Sequence, residues 1–303
     1  MLNLAVYAVI GLAGQLNGQT RDPRGLAPYV LVGETGKPLD RSLKAVVGKL
    51  FLADFEVVGK YSPADDPSQV LLIVSHRKLT NIIDGGPVTG YLGGVLRILV
   101  FEKGEFTYIV CQDPQYWLNV YFGAEYPSIE KRVQSVRRDL LKSMPKLRGR
   151  FMQPYAPRTN DPHDFADLRQ YRYDKRAPDV TGLFVIKEFD SHATAVSTIA
   201  DYFAETDAGS LIFKKEYTEG KSILYGINFD GLGSDQELLS NLPADDLNYS
   251  AALPYELLLN GYTLYALPLS LRLPLSAPAM SKKQFKKVKK LERRFNQRLA
   301  DIF

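Results

Sequence analysis

The sequence predicts an α+β protein with two similar tandem domains, each a small, mainly antiparallel sheet with helices on one face. Tyr255 to Leu269 has two runs rich in Leu and Tyr on either side of Asn260-Gly261, which indicates a hairpin with a type I′ turn. Leu96 to Val110 has the same plan around Lys103-Gly104. Corresponding residues of the two hairpins and of the elements around them lie 153 to 157 residues apart. Loops of freely varying length would give a wider range of separations. The predicted order in each repeat is β-α-β-β-β-β-α, with a short helix or a loop between the third and fourth strands.

The first repeat is predicted to open with a strand at Tyr29 to Val32, followed by a helix that Asp40 caps. The apolar residues of that helix fall at i, i+3, i+4 and i+7, so one face must be buried. Two strands follow, Phe55 to Tyr61 and Val70 to Val74. The Gly-rich segment 81–94 is predicted to be mostly loop. After the hairpin and an aromatic patch, residues 128–141 show the period of a helix.

The second repeat is predicted to run through the same elements. Leu183 to Ile186 is a strand, and Ser191 can cap the helix that follows. The strands Leu211 to Tyr217 and Ile223 to Asn228 precede a short helical piece at 235–239 and the Asn-Gly hairpin. The last helix is amphipathic, and its inward residues are Phe285, Val288, Leu291, Phe295 and Leu299.

The chain of 303 residues exceeds the usual size of one core, which agrees with two domains. We expect an N-terminal extension at 1–26, the first repeat at 27–144, and the second repeat with its basic helix at 182–303. Between the repeats, residues 145–181 are predicted to be an irregular linker because prolines interrupt every pattern there.

The N-terminal extension contains one apolar run, Leu4 to Ile10, of seven residues. It is far shorter than the roughly 20 residues that a membrane-spanning helix needs, so no transmembrane segment is predicted. The expected location is the cytoplasm. The alternative is export, if the run is the apolar region of a signal peptide, although no Lys or Arg precedes it.

Three segments of the first repeat form a recognisable set. They are the strand Val70 to Val74 with the following Ser75-His76-Arg77-Lys78, the hairpin Leu96 to Val110, and Asp113-Pro114-Gln115-Tyr116. This set resembles the DUF302 family. That family has a strand ending near Asn-Pro-Lys, a hairpin of the type Val-Val-Tyr-Glu-x-Gly-x-Val, and an Asp-Pro or Asn-Pro before an aromatic residue. The resemblance covers residues 29–143, with a more diverged copy at 183–300. It implies the α+β fold and carries no activity with it.

The residues around His76 form the first candidate site. His76 ends a core strand beside Arg77 and Lys78, where an anion or the carboxylate of Asp113 could meet it, and its intrinsic pKa suits acid–base chemistry. The alternative interpretation is an ordinary strand end at the surface. The full set of candidate ligand-binding residues is His76, Arg77, Lys78, Asp113, Tyr116 and Trp117.

The last helix forms the second candidate site. Residues 281–299 hold nine Lys and Arg against one Glu, so the basic character of the chain is concentrated there. Nucleic acid, an anionic membrane surface or an acidic partner could use such a face, and the alternative is a solvated surface helix. The candidate residues for an anionic partner are Lys282, Lys283, Lys286, Lys287, Lys290 and Arg294.

Catalytic and metal chemistry find little support in the sequence. The three histidines are scattered without metal-ligand spacing, and the single cysteine, Cys111, allows neither an intrachain disulfide nor a Cys-rich metal site. No P-loop, nucleophile elbow or dinucleotide fingerprint is present. We therefore expect no catalytic residues, no metal and no cofactor.

The leading functional hypothesis is a non-catalytic binding or protein-interaction protein whose site lies between or beside the repeats. Its partner would be another protein, a further copy of the chain, or an anionic ligand or surface. One alternative is an enzyme or small-ligand protein that uses the region of His76, Arg77 and Asp113. The other is a binder of anionic polymers or membrane surfaces through the basic helix.

Overall fold

The computed structural model describes residues 27–145, 147–155, 168–169, 171–173, 177–217 and 221–303. The predicted N-terminal extension, with its apolar run, lies outside the described residues, as does most of the predicted linker. We call residues 27–155 the first half and residues 177–303 the second half. None of the helices in the described parts of the chain is long and apolar enough to cross a membrane.

The first half forms a six-stranded sheet with the strand order β2-β3-β4-β5-β1-β6. Its elements, in chain order, are β1 Tyr29–Thr35, α1 Leu39–Phe51, β2 Phe55–Tyr61, β3 Gln69–His76, α2 Arg77–Ile83, β4 Leu96–Lys103, β5 Phe106–Gln112, α3 Pro114–Phe122, α4 Tyr126–Lys142 and β6 Arg148–Pro154.

The second half forms a five-stranded sheet with the order β7-β11-β10-β9-β8. Its elements are β7 Phe184–Glu188, α5 His192–Glu205, β8 Gly209–Tyr217, β9 Ser222–Phe229, α6 Asp235–Ser240, β10 Tyr255–Asn260, β11 Thr263–Ala266, α7 Leu269–Ser276 and α8 Lys282–Ile302. The connectivity matches that of the first half without β6. All strand pairs in the described residues are antiparallel. The predicted α+β class with two similar sheets is confirmed.

The capping signals were predicted with mixed success. The Ser191 hydroxyl accepts the backbone N–H of Thr194 and caps α5, as expected. Ser281 and Gln284 form a capping box at the start of α8. Asp40, in contrast, lies inside the first turn of α1, and Pro38 is at the N-cap position.

Both hairpins turn one residue later than expected. Asn260 pairs with Thr263 in the ladder, so the loop between β10 and β11 consists of Gly261 and Tyr262. Of these two loop residues only Gly261 has a positive φ, 63°, which is the pattern of a type II′ turn. Gly104, with φ 62°, has the same role between β4 and β5. The predicted type I′ turn is therefore wrong, although the hairpins themselves are present.

The segment expected to be an irregular linker contains β6, which pairs with β1 and extends the first sheet. The predicted order also lacks α3 and α7, each of which follows a strand in the structure, whereas α2 lies where a short helix or loop was expected. Residues 81–94, expected to be mostly loop, comprise the end of α2 and a 3-10 turn at Val88–Gly93.

The two sheets share the position of an irregularity. Each edge strand, β2 and β8, has one bulge. The first ladder pair after the bulge joins β2 to Ile73 on β3 in the first half, and β8 to Gly226 on β9 in the second half. Ile73 pairs with Arg97 on β4, and Gly226 pairs with Glu256 on β10. Arg97 and Glu256 therefore occupy equivalent positions in the two sheets.

The halves cover each other's sheets reciprocally. The 3-10 turn Val88–Gly93 of the first half contacts β9 and β10, and the 3-10 turn Ser250–Ala252 of the second half contacts β4 and β5. The edge strands β2 and β8 lie side by side without forming a ladder. Because of this exchange, β4 and β9 are buried along almost their whole length, on both faces.

A buried charge cluster lies where the halves meet. Glu256 forms ion pairs with Arg97 and Arg272: its Oε1 lies 2.5 Å from Nη2 of Arg97, and its Oε2 accepts from Nη1 of Arg272 at 2.7 Å. The two guanidinium groups also donate to the backbone carbonyls of residues 252–254. None of the three side chains is more than 3% exposed. The carboxylate therefore neutralises charge that water cannot reach.

Candidate functional site

A depression of about 750 Å³ opens on the surface of the first half. Three parts of the fold form its walls: the end of α1 with the turn after it, the junction of β3 with α2, and the last turn of α4. The residues that line it are Lys49, Leu52, Ala53, Asp54, His76, Arg77, Lys78, Asp139, Lys142 and Ser143. Its volume is within the range of small-ligand sites.

His76 supports the floor of this depression. It is the N-cap of α2, where its Nδ1 accepts the backbone N–H of Lys78 at 2.9 Å. Its ring packs on Phe55 at 4.7 Å between ring centroids. Burial, and then the positive charge of Lys78, lower the pKa of His76 below its ordinary value, whereas the carboxylates of Asp139 and Asp54 and a backbone hydrogen bond with Ala53 oppose the shift. The ring therefore connects the start of α2 with the turn before β2.

The rim of the depression carries an excess of positive charge. Lys78 forms an ion pair with Asp139 at 2.6 Å and also donates to Ser135. Lys49, Arg77 and Lys142 are exposed, and no carboxylate in the described residues lies within ion-pairing distance of them. Unpaired cations that converge on one depression favour an anionic ligand.

The equivalent place in the second half is filled by the protein itself. His76 and Phe229 are equivalent, because each is the last residue of the third strand of its half. Ser143 and Arg298 are equivalent as well, because each lies three positions after a matching core residue of the last helix, Leu140 or Phe295. The Arg298 guanidinium lies 4.5 Å from the centroid of the Phe229 ring.

The same guanidinium donates to three backbone carbonyls. The acceptors are Ala208 at 3.0 Å, Asp230 at 2.8 Å, and Leu232. Ala208 directly precedes β8 as Asp54 directly precedes β2, and Asp230 directly follows β9 as Arg77 directly follows β3. Arg298 therefore occupies the space that stays open in the first half, where a small serine replaces it.

Three of the predicted ligand residues lie elsewhere. Asp113 is buried and caps α3, where its carboxylate accepts from Gln115 N–H and from Nε of Arg137 at 3.0 Å. Burial raises the pKa of Asp113, and the Arg137 guanidinium opposes the rise. Tyr116 and Trp117 are core residues whose polar atoms donate to the backbone carbonyls of Leu275 and Pro28. The carboxylates near His76 are therefore those of Asp54 and Asp139, and not that of Asp113 as expected.

The basic helix is placed as expected, with its apolar stripe buried and its charged face outward. The six predicted residues Lys282, Lys283, Lys286, Lys287, Lys290 and Arg294 are all exposed, and Arg293 joins them. None of the seven forms an ion pair with a described residue. The face extends over about 18 Å, given the rise of 1.5 Å per helical residue.

A second depression, of about 440 Å³, marks the boundary of the two halves. Asn248 donates to Gln69 across it at 2.8 Å, and Lys103 forms an ion pair with Asp246 at 3.7 Å. Its remaining charged residues are Asp66, Glu102 and Asp245, so its lining is mainly acidic.

No cluster of three or more potential metal ligands occurs among the described residues. Cys111 is fully buried, and burial, followed by the nearby Asp113 carboxylate, raises the pKa of its thiol. It lies 3.8 Å from the sulfur of Met144 in the core.

Sequence reasoning missed seven residues of the depression: Lys49, Leu52, Ala53, Asp54, Asp139, Lys142 and Ser143. A signal for Ser143 was present, because the recurrence of the repeat aligns it with Arg298. For Lys49 and Lys142 no signal was available, since an exposed Lys in the last turn of a helix is common.

The fold and the depression define a class: a two-sheet α+β protein with a basic surface depression in one half. No protein-family model matches the chain, and no curated protein is similar enough in sequence to count as a relative. Among solved structures, an uncharacterized conserved protein, DUF302, from Bacillus stearothermophilus is similar to part of the chain. The match has 14% identity and a TM-score of 0.34, and it covers 39% of this chain and 95% of the other.

Proposed function

We propose that the protein is a non-catalytic binding protein whose ligand is a small anion, phosphate- or carboxylate-bearing, held in the depression of the first half. The observation that carries this proposal is the contrast between the halves. The second half closes the equivalent space with Arg298, whereas the first half leaves it open and surrounds it with Lys49, Arg77 and Lys142.

The environment of His76 favours binding over catalysis. Its Nδ1 is occupied by the N–H of Lys78, and the backbone of Ala53 engages the ring as well. A general base needs a free nitrogen within reach of the substrate proton. The alternative of an enzyme that uses His76, Arg77 and Asp113 is further weakened because Asp113 is already engaged by Arg137.

As part of the same proposal, the two halves are a tandem duplication of a DUF302-like domain. The shared connectivity of the two sheets and the equivalent bulges in β2 and β8 support a common origin. The motifs at Val70 to Lys78, in the first hairpin and at Asp113-Pro114 support the family. After such a duplication, the first copy would have kept an open site for a ligand, whereas the second copy would have filled the equivalent space with its own side chain.

Removing the rim charges tests the proposal. With inorganic phosphate as the probe, we expect saturable amide NMR shifts at residues 54, 76–78 and 142–143. The triple variant Lys49→Gln, Arg77→Gln, Lys142→Gln should bind at least about tenfold more weakly, since each cation near a bound anion contributes on the order of 1 kcal/mol. The matched control, Lys282→Gln, Lys283→Gln, Lys286→Gln, removes the same charge from α8 and should bind as the wild type does.

Filling the site separates a built depression from diffuse attraction. Ser143→Arg adds a positive charge but supplies the side chain that occupies the equivalent space in the second half. If the ligand enters the depression, phosphate binding is lost despite the added charge. If phosphate is only attracted to the basic surface, binding strengthens and the proposal fails. Absence of saturable shifts in the wild type would refute it as well.

The exposed face of α8 supports a second candidate function, binding of an anionic polymer. Replacing Lys286, Lys287, Lys290 and Arg294 with Gln should abolish salt-sensitive retention on heparin, because these cations have no acidic partner among the described residues. The control variant replaces four exposed cations outside α8, namely Lys44, Lys60, Lys131 and Arg138. Equal retention of both variants would remove this candidate.

A further inference from the structure

Two adjacent apolar side chains project from the surface beside the depression. Phe51 is 77% exposed and Leu52 is 76% exposed, the highest values among the large hydrophobic residues described. They end α1, and Leu52 itself lines the depression. Single exposed apolar residues are ordinary on protein surfaces. A consecutive pair of large ones at a helix end is a different case, because the buried face of α1 ends at Leu50 and leaves both on the outside.

The charged residues around Phe51 and Leu52 are mostly cations, which favours contact with an anionic surface. Lys49 precedes this pair by less than one helical turn, and Arg77, Lys78 and Lys142 line the depression that adjoins it. These four cations outnumber the two carboxylates of the lining, Asp54 and Asp139. Apolar side chains next to an excess of Lys and Arg are typical of proteins that bind the interface of an anionic bilayer. There, the apolar groups enter the headgroup region and the cations contact lipid phosphates. A soluble anion would use the cations alone and leave Phe51 without a role.

We infer that the depression binds the headgroup of an anionic phospholipid within a bilayer, and that Phe51 and Leu52 enter the lipid interface when it does. The inference rests on the proposed anion site and adds its source, a membrane surface. It requires no membrane-spanning segment, since the contact is made by a helix end and the rim of a depression.

The first test measures binding to vesicles of phosphatidylcholine and phosphatidylglycerol in equal parts, with phosphatidylcholine alone for comparison. Wild-type protein should sediment with the anionic vesicles only. Phe51→Ser should lower that binding about tenfold, as expected for withdrawing most of a Phe side chain from lipid, while phosphate binding measured by NMR stays unchanged. The matched control is Tyr262→Ser, which removes an aromatic residue that is 56% exposed on the hairpin of the second half.

The second test reports insertion directly. Phe51→Trp should bind vesicles as the wild type does, and its fluorescence should shift to shorter wavelength on anionic vesicles, because the added indole leaves water. The native Trp117 is buried and provides a constant background. Tyr262→Trp should show no shift.

The outcomes separate this inference from the proposed function. Equal vesicle binding by wild type and Phe51→Ser, or no vesicle binding at all, overturns the inference even if phosphate binds. Absence of phosphate binding removes the proposed site itself. Vesicle binding that disappears in the α8 variant Lys286→Gln, Lys287→Gln, Lys290→Gln, Arg294→Gln, but persists in Phe51→Ser, assigns the membrane contact to α8 and also overturns the inference.

Discussion

Replacing Glu256 with Gln is expected to destabilise the protein by about 3–5 kcal/mol, the usual cost of breaking a buried ion pair from one side. The carboxylate is the only acidic group that pairs with Arg97 and Arg272 in the described residues, and all three side chains are at most 3% exposed. Gln would leave two guanidinium groups without a counter-charge and turn an amide N–H toward one of them. Urea unfolding followed by circular dichroism measures the loss.

The matched control is Glu56→Gln. Glu56 also forms an ion pair across the boundary of the halves, with Lys215 at 3.2 Å, but its side chain is 65% exposed. Solvent-exposed pairs contribute about 0–1 kcal/mol. If Glu256→Gln proved as mild as Glu56→Gln, the buried ion pairs would stabilise the fold no more than an exposed pair does.

Replacing Gly94 with Ala is expected to destabilise the protein by about 3 kcal/mol, the upper part of the range for overpacking a core. A Cβ at this position would lie 1.7 Å from Oη and 2.5 Å from Cζ of Tyr217, a residue of the other half. Tyr217 is itself buried, and its ring packs on Tyr91 at 5.1 Å between centroids. The added methyl group must therefore displace the Tyr217 side chain from its buried contact with the first half.

Gly48→Ala supplies the control of opposite sign. Gly48 lies inside α1, exposed, with nothing within 4 Å of the added Cβ. Ala in such a helix position stabilises by about 0.5–1 kcal/mol. Thermal melts of the two variants should shift in opposite directions. A Gly94→Ala protein that melts with the wild type would mean that the halves are free to separate at this contact.

Secondary structure was most predictable where one face of an element is buried and the other is exposed to solvent. The hairpins, α1, α4, α5 and α8 were predictable because their apolar residues follow the period of the element. The helices α3 and α7 were missed because nearly every residue in them is buried, so no amphipathic stripe exists. Pro274 inside α7 hides it further.

The candidate site was predictable only in part, for a related reason. His76, Arg77 and Lys78 are neighbours in sequence, and the strand that presents them has a clear signal. Asp113 in its Asp-Pro context suggested a ligand site, yet the same residues make an ordinary cap for a buried helix. Lys49, Lys142 and Ser143 reach the depression through packing between distant elements, which local patterns do not encode.

The contact of Arg97 with Glu256 limits how such a fold can assemble. Arg97 and Glu256 occupy equivalent positions in the two halves, and because they touch they lie on the axis that relates the halves. In a dimer of two identical subunits with this arrangement, the same side chain would approach that axis from both sides. Two arginines or two glutamates would then face each other at about 2.5 Å, far from water. Only a chain whose halves differ at this position can place opposite charges across the axis. Each half is thus complementary to the other and not to itself.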